Sequence, residues 1–237
     1  MQSESTQEQK CAVIVGGTSG IGLALAEGFL ENGYTVEACG VGQLPPDRAG
    51  LTFHQVDVAN REAVDAFMNG IKRIDVLLNA AGIIRRDAEL DPETFATVLD
   101  INLNGTMRAC SAARRQLTEC KGSIINIASM LSYFGGGTVP GYAASKGGIA
   151  QLTKSLAIAY AADGIRVNAL APGWIATPLT TALQADEKRS ASILERTPLG
   201  RWGQPADLIG PALFLASDAA GFVTGSLINV DGGYAAA

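Results

Sequence analysis

Ser129, Tyr142 and Lys146 pose the chemical question in this chain: the serine lies thirteen residues before the tyrosine, and the lysine four residues after it. Residues four apart on a helix project from one face, one turn from each other. A phenol with an ordinary pKa of roughly 10 is a poor acid or base near neutrality, so any chemical role needs a neighbour that stabilises its anion. The Lys146 ammonium is the first candidate. Singly, each residue also has a structural reading: a helix-start aromatic, a solvated helix lysine, a serine capping a strand end.

A second cluster bears on what sits beside that set. Gly16, Gly20 and Gly22 are spaced G-x-x-x-G-x-G, with Gly17 between them, and they follow the apolar run Cys11 to Val15. Glycines there let backbone amides approach a pyrophosphate closely, and a following helix turns its positive N-terminus toward it. The spacing differs from the general G-x-G-x-x-G fingerprint, so its position in a βαβ unit carries the argument. In such units an acid at the end of the second strand binds a ribose hydroxyl, whereas an arginine accepts a 2′-phosphate. Here the stretch reads Glu37-Ala38-Cys39-Gly40-Val41-Gly42-Gln43, with Gly40 where the acid is expected and no basic residue before Arg48. Without a cation for a 2′-phosphate, the sequence favours NAD(H) over NADP(H).

The elements that must position these groups alternate. Strands are predicted at Cys11 to Val15, Tyr34 to Cys39, Thr52 to Val56, Asp75 to Leu78, Ser123 to Ala128, Arg166 to Ala171 and Ser226 to Val230. Helices are predicted at Ile21 to Glu31, Arg61 to Ile71, Pro92 to Leu117, Tyr142 to Ala161 and Pro205 to Ser217. Strands apolar on both faces, alternating with helices, imply a parallel sheet covered on both sides with right-handed crossovers. The expected fold is α/β, a single-domain doubly wound Rossmann fold. Residues 1–10 read as a polar tail and 11–237 as the dinucleotide-binding and catalytic domain. Residues 43–49, with Pro45-Pro46, shorten the second crossover to a loop, and the charged, helix-prone run 178–200 reads as a mobile lid.

Composition narrows the partners. The 237 residues suit one sizeable core, and 47% hydrophobic against 17% charged residues is far from a disordered composition. A formal charge of −5 argues against nucleic acid, whose phosphates need clustered cations. The opening MQSESTQEQK has neither the basic start nor the apolar run of a secretory signal, and no stretch is apolar enough to span a bilayer, so the cytoplasm is expected. Cys11, Cys39, Cys110 and Cys120 are scattered and read as reduced thiols. His54 is the only histidine, which leaves little for a Ser-His-Asp triad or a metal site, and no metal is expected.

Taken together, Gly16-Gly17-Thr18-Ser19-Gly20-Ile21-Gly22, Asn79-Ala80-Ala81-Gly82, Asn102, Ser129, Tyr142-Ala143-Ala144-Ser145-Lys146 and Pro172-Gly173 resemble the short-chain dehydrogenase/reductase family over nearly the whole chain. Two departures are Val15, where the family often has Thr, and Ala80, where it has a second Asn. The resemblance implies that Tyr142 is the general acid/base, that Ser129 binds and polarises the substrate oxygen, and that Lys146 binds the nicotinamide ribose and depresses the tyrosine pKa. Asn102 would hold a water linking Lys146 to solvent. The implied cofactor site comprises Gly16, Thr18, Ser19, Gly20, Ile21, Gly22, Gly40, Asp57, Val58, Asn79, Ala80, Gly82, Tyr142, Lys146, Pro172, Gly173, Ile175 and Thr177. Within it, Asp57 would contact the adenine and Thr177 the carboxamide. A downward phenol shift of about three units needs roughly 4 kcal/mol, which the ammonium and a positive nicotinamide in a partly desolvated cleft could supply.

Arg85-Arg86 follow the Asn79 to Gly82 loop at the rim of the expected cleft, where arginine suits bidentate capture of a carboxylate. A solvated loop pair is the alternative. With Ile127 to Ser132, the lid run Leu183 to Ser190 and Gly200-Arg201-Trp202-Gly203, the pair is similar to the sugar-acid branch of the family, the gluconate and keto-deoxygluconate dehydrogenases. The resulting expectation is an NAD(P)-dependent oxidoreductase interconverting a secondary alcohol and a ketone on a keto-deoxy sugar acid, with Arg85, Arg86, Ser129 and Tyr142 touching substrate. A 3-oxoacyl or general ketone reductase is the second enzyme reading, and a non-catalytic dinucleotide-binding regulator the reading from another class. Family resemblance also implies a homotetramer, with Met107, Leu156 and Tyr160 placed at an interface or in the core.

Overall fold

The computed structural model describes residues 9–237, so most of the expected N-terminal tail lies outside the described residues. Seven strands, β1 (Cys11–Val15), β2 (Thr35–Gly40), β3 (Leu51–Gln55), β4 (Val76–Asn79), β5 (Ser123–Ile127), β6 (Arg166–Pro172) and β7 (Leu227–Val230), form one parallel sheet in the order β3-β2-β1-β4-β5-β6-β7. Every residue of β1, β4 and β5 is buried, including the polar Asn79, Ser123 and Asn126, as strands in the middle of a parallel sheet covered on both faces require.

Alternation along β1 assigns its side chains to two cores. Cys11, Val13 and Val15 join Met68, Leu117 and Leu156 on one face, under helices α2 (Arg61–Gly70), α4 (Gly105–Cys120) and α5 (Pro140–Ala159). Ala12 and Ile14 join Leu25, Phe29 and Leu215 on the other, under α1 (Gly20–Glu31) and α8 (Ile209–Ala216). Leu156 and Tyr160 are thus core residues, while Met107 on α4 is exposed. Val15 pairs with Cys39 and Asn79, and Asn79 with Asn126, so the carboxyl ends of β2, β1, β4 and β5 lie side by side on one edge of the sheet. The catalytic and cofactor candidates follow those ends.

The long helix expected from Pro92 is divided. It runs as α3 (Pro92–Leu99), then one wider π-helical turn at Asp100–Asn104, then α4. A π turn frees a carbonyl from the regular ladder. Thr106 Oγ1 donates to the Asn102 carbonyl at 2.9 Å, and the Asn102 side chain turns inward, fully buried. The segment before β7 likewise begins with a tighter 3-10 turn, Pro205–Leu208, before α8. Residues 43–49 form a loop without a helix, as expected from Pro45-Pro46. Between β6 and β7, residues 178–200 contain two short helices, α6 (Thr181–Ala185) and α7 (Glu187–Glu195). Asp186 caps α7, accepting from the Lys188 and Arg189 amides at 3.1 Å. No helix among the described residues is long and apolar enough to cross a membrane.

Candidate active site

Three elements bring the catalytic candidates together. Ser129 ends the turn out of β5, Tyr142 and Lys146 share one face of α5, and Asn102 lies in the π turn. Ser132 fixes the serine's backbone to the helix: its hydroxyl donates to the Lys146 carbonyl at 2.7 Å and accepts from the Ser129 amide at 3.2 Å. Ser129 Oγ accepts from the Leu131 amide at 3.1 Å, which orients the hydroxyl at the strand end. Asn102 Oδ1 accepts from the Ile83 amide at 2.8 Å, and its Nδ2 donates to the Ile83 carbonyl and to Ser145 Oγ. Ser145 Oγ in turn donates to the Tyr142 carbonyl at 2.7 Å. The loop after β4, the π turn and the catalytic helix are therefore one hydrogen-bonded unit.

Burial sets the direction of both titrating groups in the chain without cofactor. Burial raises the Tyr142 pKa above 10; the facing Ser129 hydroxyl and the Arg86 charge pull it down, and Glu89 pushes it further up. Lys146 stands one turn along the same helix. Its Nζ donates to the Ile127 carbonyl at 2.6 Å and sits 5.5 Å from the Tyr142 ring centroid. Burial lowers the Lys146 pKa from 10.5 to about 8, because a desolvated ammonium is disfavoured. In the chain by itself, desolvation outweighs the groups that favour phenolate; the downward shift expected with a positive nicotinamide beside the phenol belongs to the cofactor-bound enzyme.

The cofactor candidates divide into two groups. Gly16, Thr18, Ser19, Gly20, Ile21, Gly22, Gly40, Asp57, Val58, Ala80, Gly82 and Thr177 line one cleft of about 710 Å³, with Arg85 at its margin. A Cβ on Gly16 (φ +78°) would fall 2.3 Å from the Ala81 amide nitrogen, and one on Gly22 2.0 Å from the Gly16 carbonyl oxygen. The loop is therefore packed to backbone closeness and presents amides to the cleft beside the α1 N-terminus, which suits a dinucleotide pyrophosphate. Asp57 is exposed at the cleft and bonded to the Ala59 amide. Asn79, Tyr142, Lys146, Pro172, Gly173 and Ile175 are not among the residues lining it. The Asn79 side chain turns inward, donating to Asn126 Oδ1 at 2.9 Å and to Cys110 Sγ at 3.3 Å. Asn126 Nδ2 donates onward to Thr153 Oγ1, so Asn79 begins a buried polar chain that pins β4 to β5 and α5. Pro172 is buried, Gly173 is closed off by Asp231, and Ile175 lines a separate 500 Å³ cavity near the C-terminus.

At the β2 end, Thr18 fills the space beside Gly40: a Cβ there would fall 2.3 Å from Thr18 Oγ1. Arg48 is turned away, bonded to Glu27 at 2.7 Å. Among the described residues lining the cleft, Arg85 is the one cation, and it follows β4 rather than β2. Elsewhere, His54 pairs with Glu37 at 2.6 Å across β2 and β3, apart from this cleft. Cys11, Cys39 and Cys110 are buried thiols, pushed up to about 11, 12 and 12 by burial. Sequence reasoning missed Ser132, the Ile127 carbonyl and Glu89. Ser132 was legible as the fourth residue of a Ser-x-x-Ser cap, but Glu89 had no local signal.

A sheet of this order, opening its carboxyl edge onto a glycine-packed cleft, defines a dinucleotide-binding enzyme class. Over residues 15–235 the chain matches the family described as enoyl-(acyl carrier protein) reductase. It belongs to the short-chain dehydrogenase/reductase family and is an NAD(P)-dependent oxidoreductase. It is 40% identical over 251 residues to a 2-dehydro-3-deoxy-D-gluconate 5-dehydrogenase of Pseudoalteromonas atlantica, with 99% of each chain covered. A Bacillus subtilis enzyme of the same name is 41% identical, covering 95% of this chain and 94% of that one. Among solved structures, a gluconate 5-dehydrogenase from Burkholderia cenocepacia in complex with NADP and tartrate has a TM-score of 0.88 at 36% identity, with 96% of both chains covered.

The buried ammonium has a measurable signature. Between about pH 8 and 10.5 the unfolded chain holds more Lys146 protons than the folded one, so stability rises with pH across that window. Below it, burying the charge costs about 3 kcal/mol. Wild type should therefore gain stability relative to Lys146→Met as pH rises from 8 to 10.5 in denaturant titrations without cofactor. A difference that stays flat across the window would mean that Lys146 is not buried as a charge.

Proposed function

We propose that this enzyme interconverts a secondary alcohol and a ketone on a keto-deoxy sugar acid, with Tyr142, Ser129 and Lys146 as its catalytic residues and Asn102 as their anchor. The observation that carries the proposal is the junction of Ser129 and Tyr142 at the carboxyl edge, with the Arg85-Arg86 loop clamped to the same helix. The bound nicotinamide, when present, supplies hydride exchange and a positive charge near the phenol. Ser129 Oγ and the Tyr142 hydroxyl bond the substrate oxygen where alkoxide character develops, and Tyr142 takes or gives its proton. Lys146 keeps an ammonium beside the phenol and refills the proton path. Arg85 and Arg86 supply guanidinium forks for the substrate carboxylate. The sugar-acid relatives, and the tartrate in one of their structures, support a carboxylate-bearing substrate.

For the cofactor, the proposal is a preference for NAD(H). It is supported by the uncharged Gly40-Val41-Gly42 turn and by the diversion of Arg48 to Glu27. Residues 178–200 are proposed as the lid over the substrate. A homotetramer is proposed from the exposed apolar Met107 and Ile158 on α4 and α5 and the exposed Phe214 and Phe222 near β7. Four unpaired thiols support a cytoplasmic setting. Mass measurement of the native protein at four copies is the expected result; a monomer would remove the tetramer.

The deciding experiment follows reduced-nicotinamide absorbance with 2-dehydro-3-deoxy-D-gluconate, simple ketones and an acetoacetyl thioester. Turnover on the sugar acid is expected, and Tyr142→Phe should lower it by about 10²- to 10⁴-fold while leaving cofactor binding intact. Arg85→Ala/Arg86→Ala should raise KM for the acid by about 10- to 100-fold and leave uncharged ketones unaffected. Activity confined to thioesters would replace the substrate, and an active Phe variant would remove the mechanism. The same assay with both cofactors should give the lower KM for NAD(H); a strong preference for NADP(H) would overturn the cofactor assignment.

A further inference from the structure

Glu89 is a carboxylate with almost no access to solvent, 1% exposed, in the short turn Ala88–Leu90 that follows the arginine loop. Among the described residues it forms no ion pair. Its partners are two backbone amides: Oε1 accepts from the Arg85 amide and Oε2 from the Tyr142 amide, both at 2.7 Å. A carboxylate satisfied on both oxygens by N–H dipoles is well suited to burial, whereas the same group with one donor removed is costly.

The Tyr142 amide is the third of α5, after Pro140 and Gly141. Helix N-termini leave their first amides without partners, and a side chain at the cap position usually serves them. Here that position is Val139, which has no acceptor, and no local side chain caps the helix. Glu89 supplies the missing cap from 53 residues away. Gly141 makes room for it: a Cβ there would sit 3.3 Å from Glu89 Oε2. A second tie runs parallel, the Asp87 amide donating to the Thr138 carbonyl at 2.8 Å, with Asp87 in the left-handed region at φ 63°. The cap of the catalytic helix and the anchor of the arginine loop are thus one side chain.

We propose that Glu89 is a positioning residue, whose two carboxylate oxygens hold the first turn of α5 with Tyr142 and the Arg85 loop in fixed register. The proposal rests on the reading of Tyr142 as acid/base given above. Tyr142 faces Arg86 and Glu89 from the loop before α3, Ser129 from the end of β5 and Lys146 from its own helix. Of these, Glu89 is the one acidic side chain. It opposes phenolate, so removing its charge while keeping its shape makes the phenolate easier to form. A neutral amide in its place also turns an NH₂ group toward one of the two backbone amides, which breaks one tie and loosens the register.

The test compares wild type, Glu89→Gln, Glu89→Asp and Tyr142→Phe on 2-dehydro-3-deoxy-D-gluconate and on an uncharged secondary alcohol. In the oxidative direction, Glu89→Gln should move the rising limb of the kcat/KM profile to lower pH and reduce kcat by about tenfold or more, as small displacements of a reacting group do. Binding of reduced nicotinamide, followed by its fluorescence, should be unchanged. Glu89→Asp keeps the charge with a shorter reach, so its limb should stay in place while kcat falls. It also serves if the Gln variant fails to fold. An unshifted limb with kcat within about twofold of wild type in Glu89→Gln, or wild-type kinetics in Glu89→Asp, overturns the proposal. Retained activity in Tyr142→Phe sinks the acid/base reading, and an unaltered KM for the acid in Arg85→Ala/Arg86→Ala sinks the anchor reading. Those two failures are distinct from a failure of Glu89.

Discussion

The side chain of Asn102 is the constraint on which the site depends. It is fully buried, and its amide faces the backbone of Ile83 on one side and Ser145 on the other. Both ends of a primary amide are used there, oxygen accepting and nitrogen donating, so no apolar residue or carboxylate of similar size reproduces the pattern. It reaches this position because one π turn interrupts the helix from Pro92 to Cys120 and swings the asparagine away from the regular helical face. The loop that carries Gly82 is thereby held close. A Cβ on Gly82 would already stand 3.3 Å from Asn102 Oδ1 and 3.9 Å from Lys146 Nζ. Cofactor loop, π turn and catalytic helix cannot move independently.

Burial acts on the two titrating partners in opposite senses. It pushes the Tyr142 phenol up and the Lys146 ammonium down to about 8. In each case the neutral form is favoured, as desolvation demands. Near neutral pH the phenol is protonated and Lys146 still carries its ammonium, now close enough to neutrality to exchange a proton. What tips the phenol toward its anion is local and modest on the protein side: the Ser129 hydroxyl and Arg86, opposed by Glu89. The loop before α3, which carries Arg86 and Glu89, thereby stands beside the Tyr142–Lys146 pair.

Much of this was legible in the sequence, for identifiable reasons. The mainly apolar runs of β1, β4 and β5 announced a covered parallel sheet, and the residues of α5 announced their face by a spacing of four. What escaped notice depended on contacts distant in the chain. The π turn has no proline at its start, and the weak helix formers Asp100, Asn102, Asn104 and Gly105 lie within an otherwise helical run, so the sequence marked a weak point there but not an extra residue in the turn. Asn79 reads as a loop residue beside a cofactor, yet sits at the end of β4 where the inward side faces Cys110 and Asn126. Glu89, between Ala88 and Leu90 in a charged stretch, has the look of a solvated acid until the fold places α5 over it.

The geometry also separates chemistry from selection. Ser129, Tyr142 and Lys146 are tied to β5 and α5, elements packed into the core, and the hydroxyl of Ser132 bridges them. Arg85 and Arg86, the pair proposed to hold the substrate carboxylate, lie instead on the loop between β4 and α3. A loop of that kind could select a carboxylate only if its register to the reacting oxygen were fixed, since a fork that wanders by an ångström no longer meets two oxygens at once. The Glu89 cap and the Asp87 amide provide that register by fastening the loop to the first turn of the catalytic helix. Changing the loop's residues can then alter which acid is held without disturbing the proton path, provided the two ties to α5 are kept.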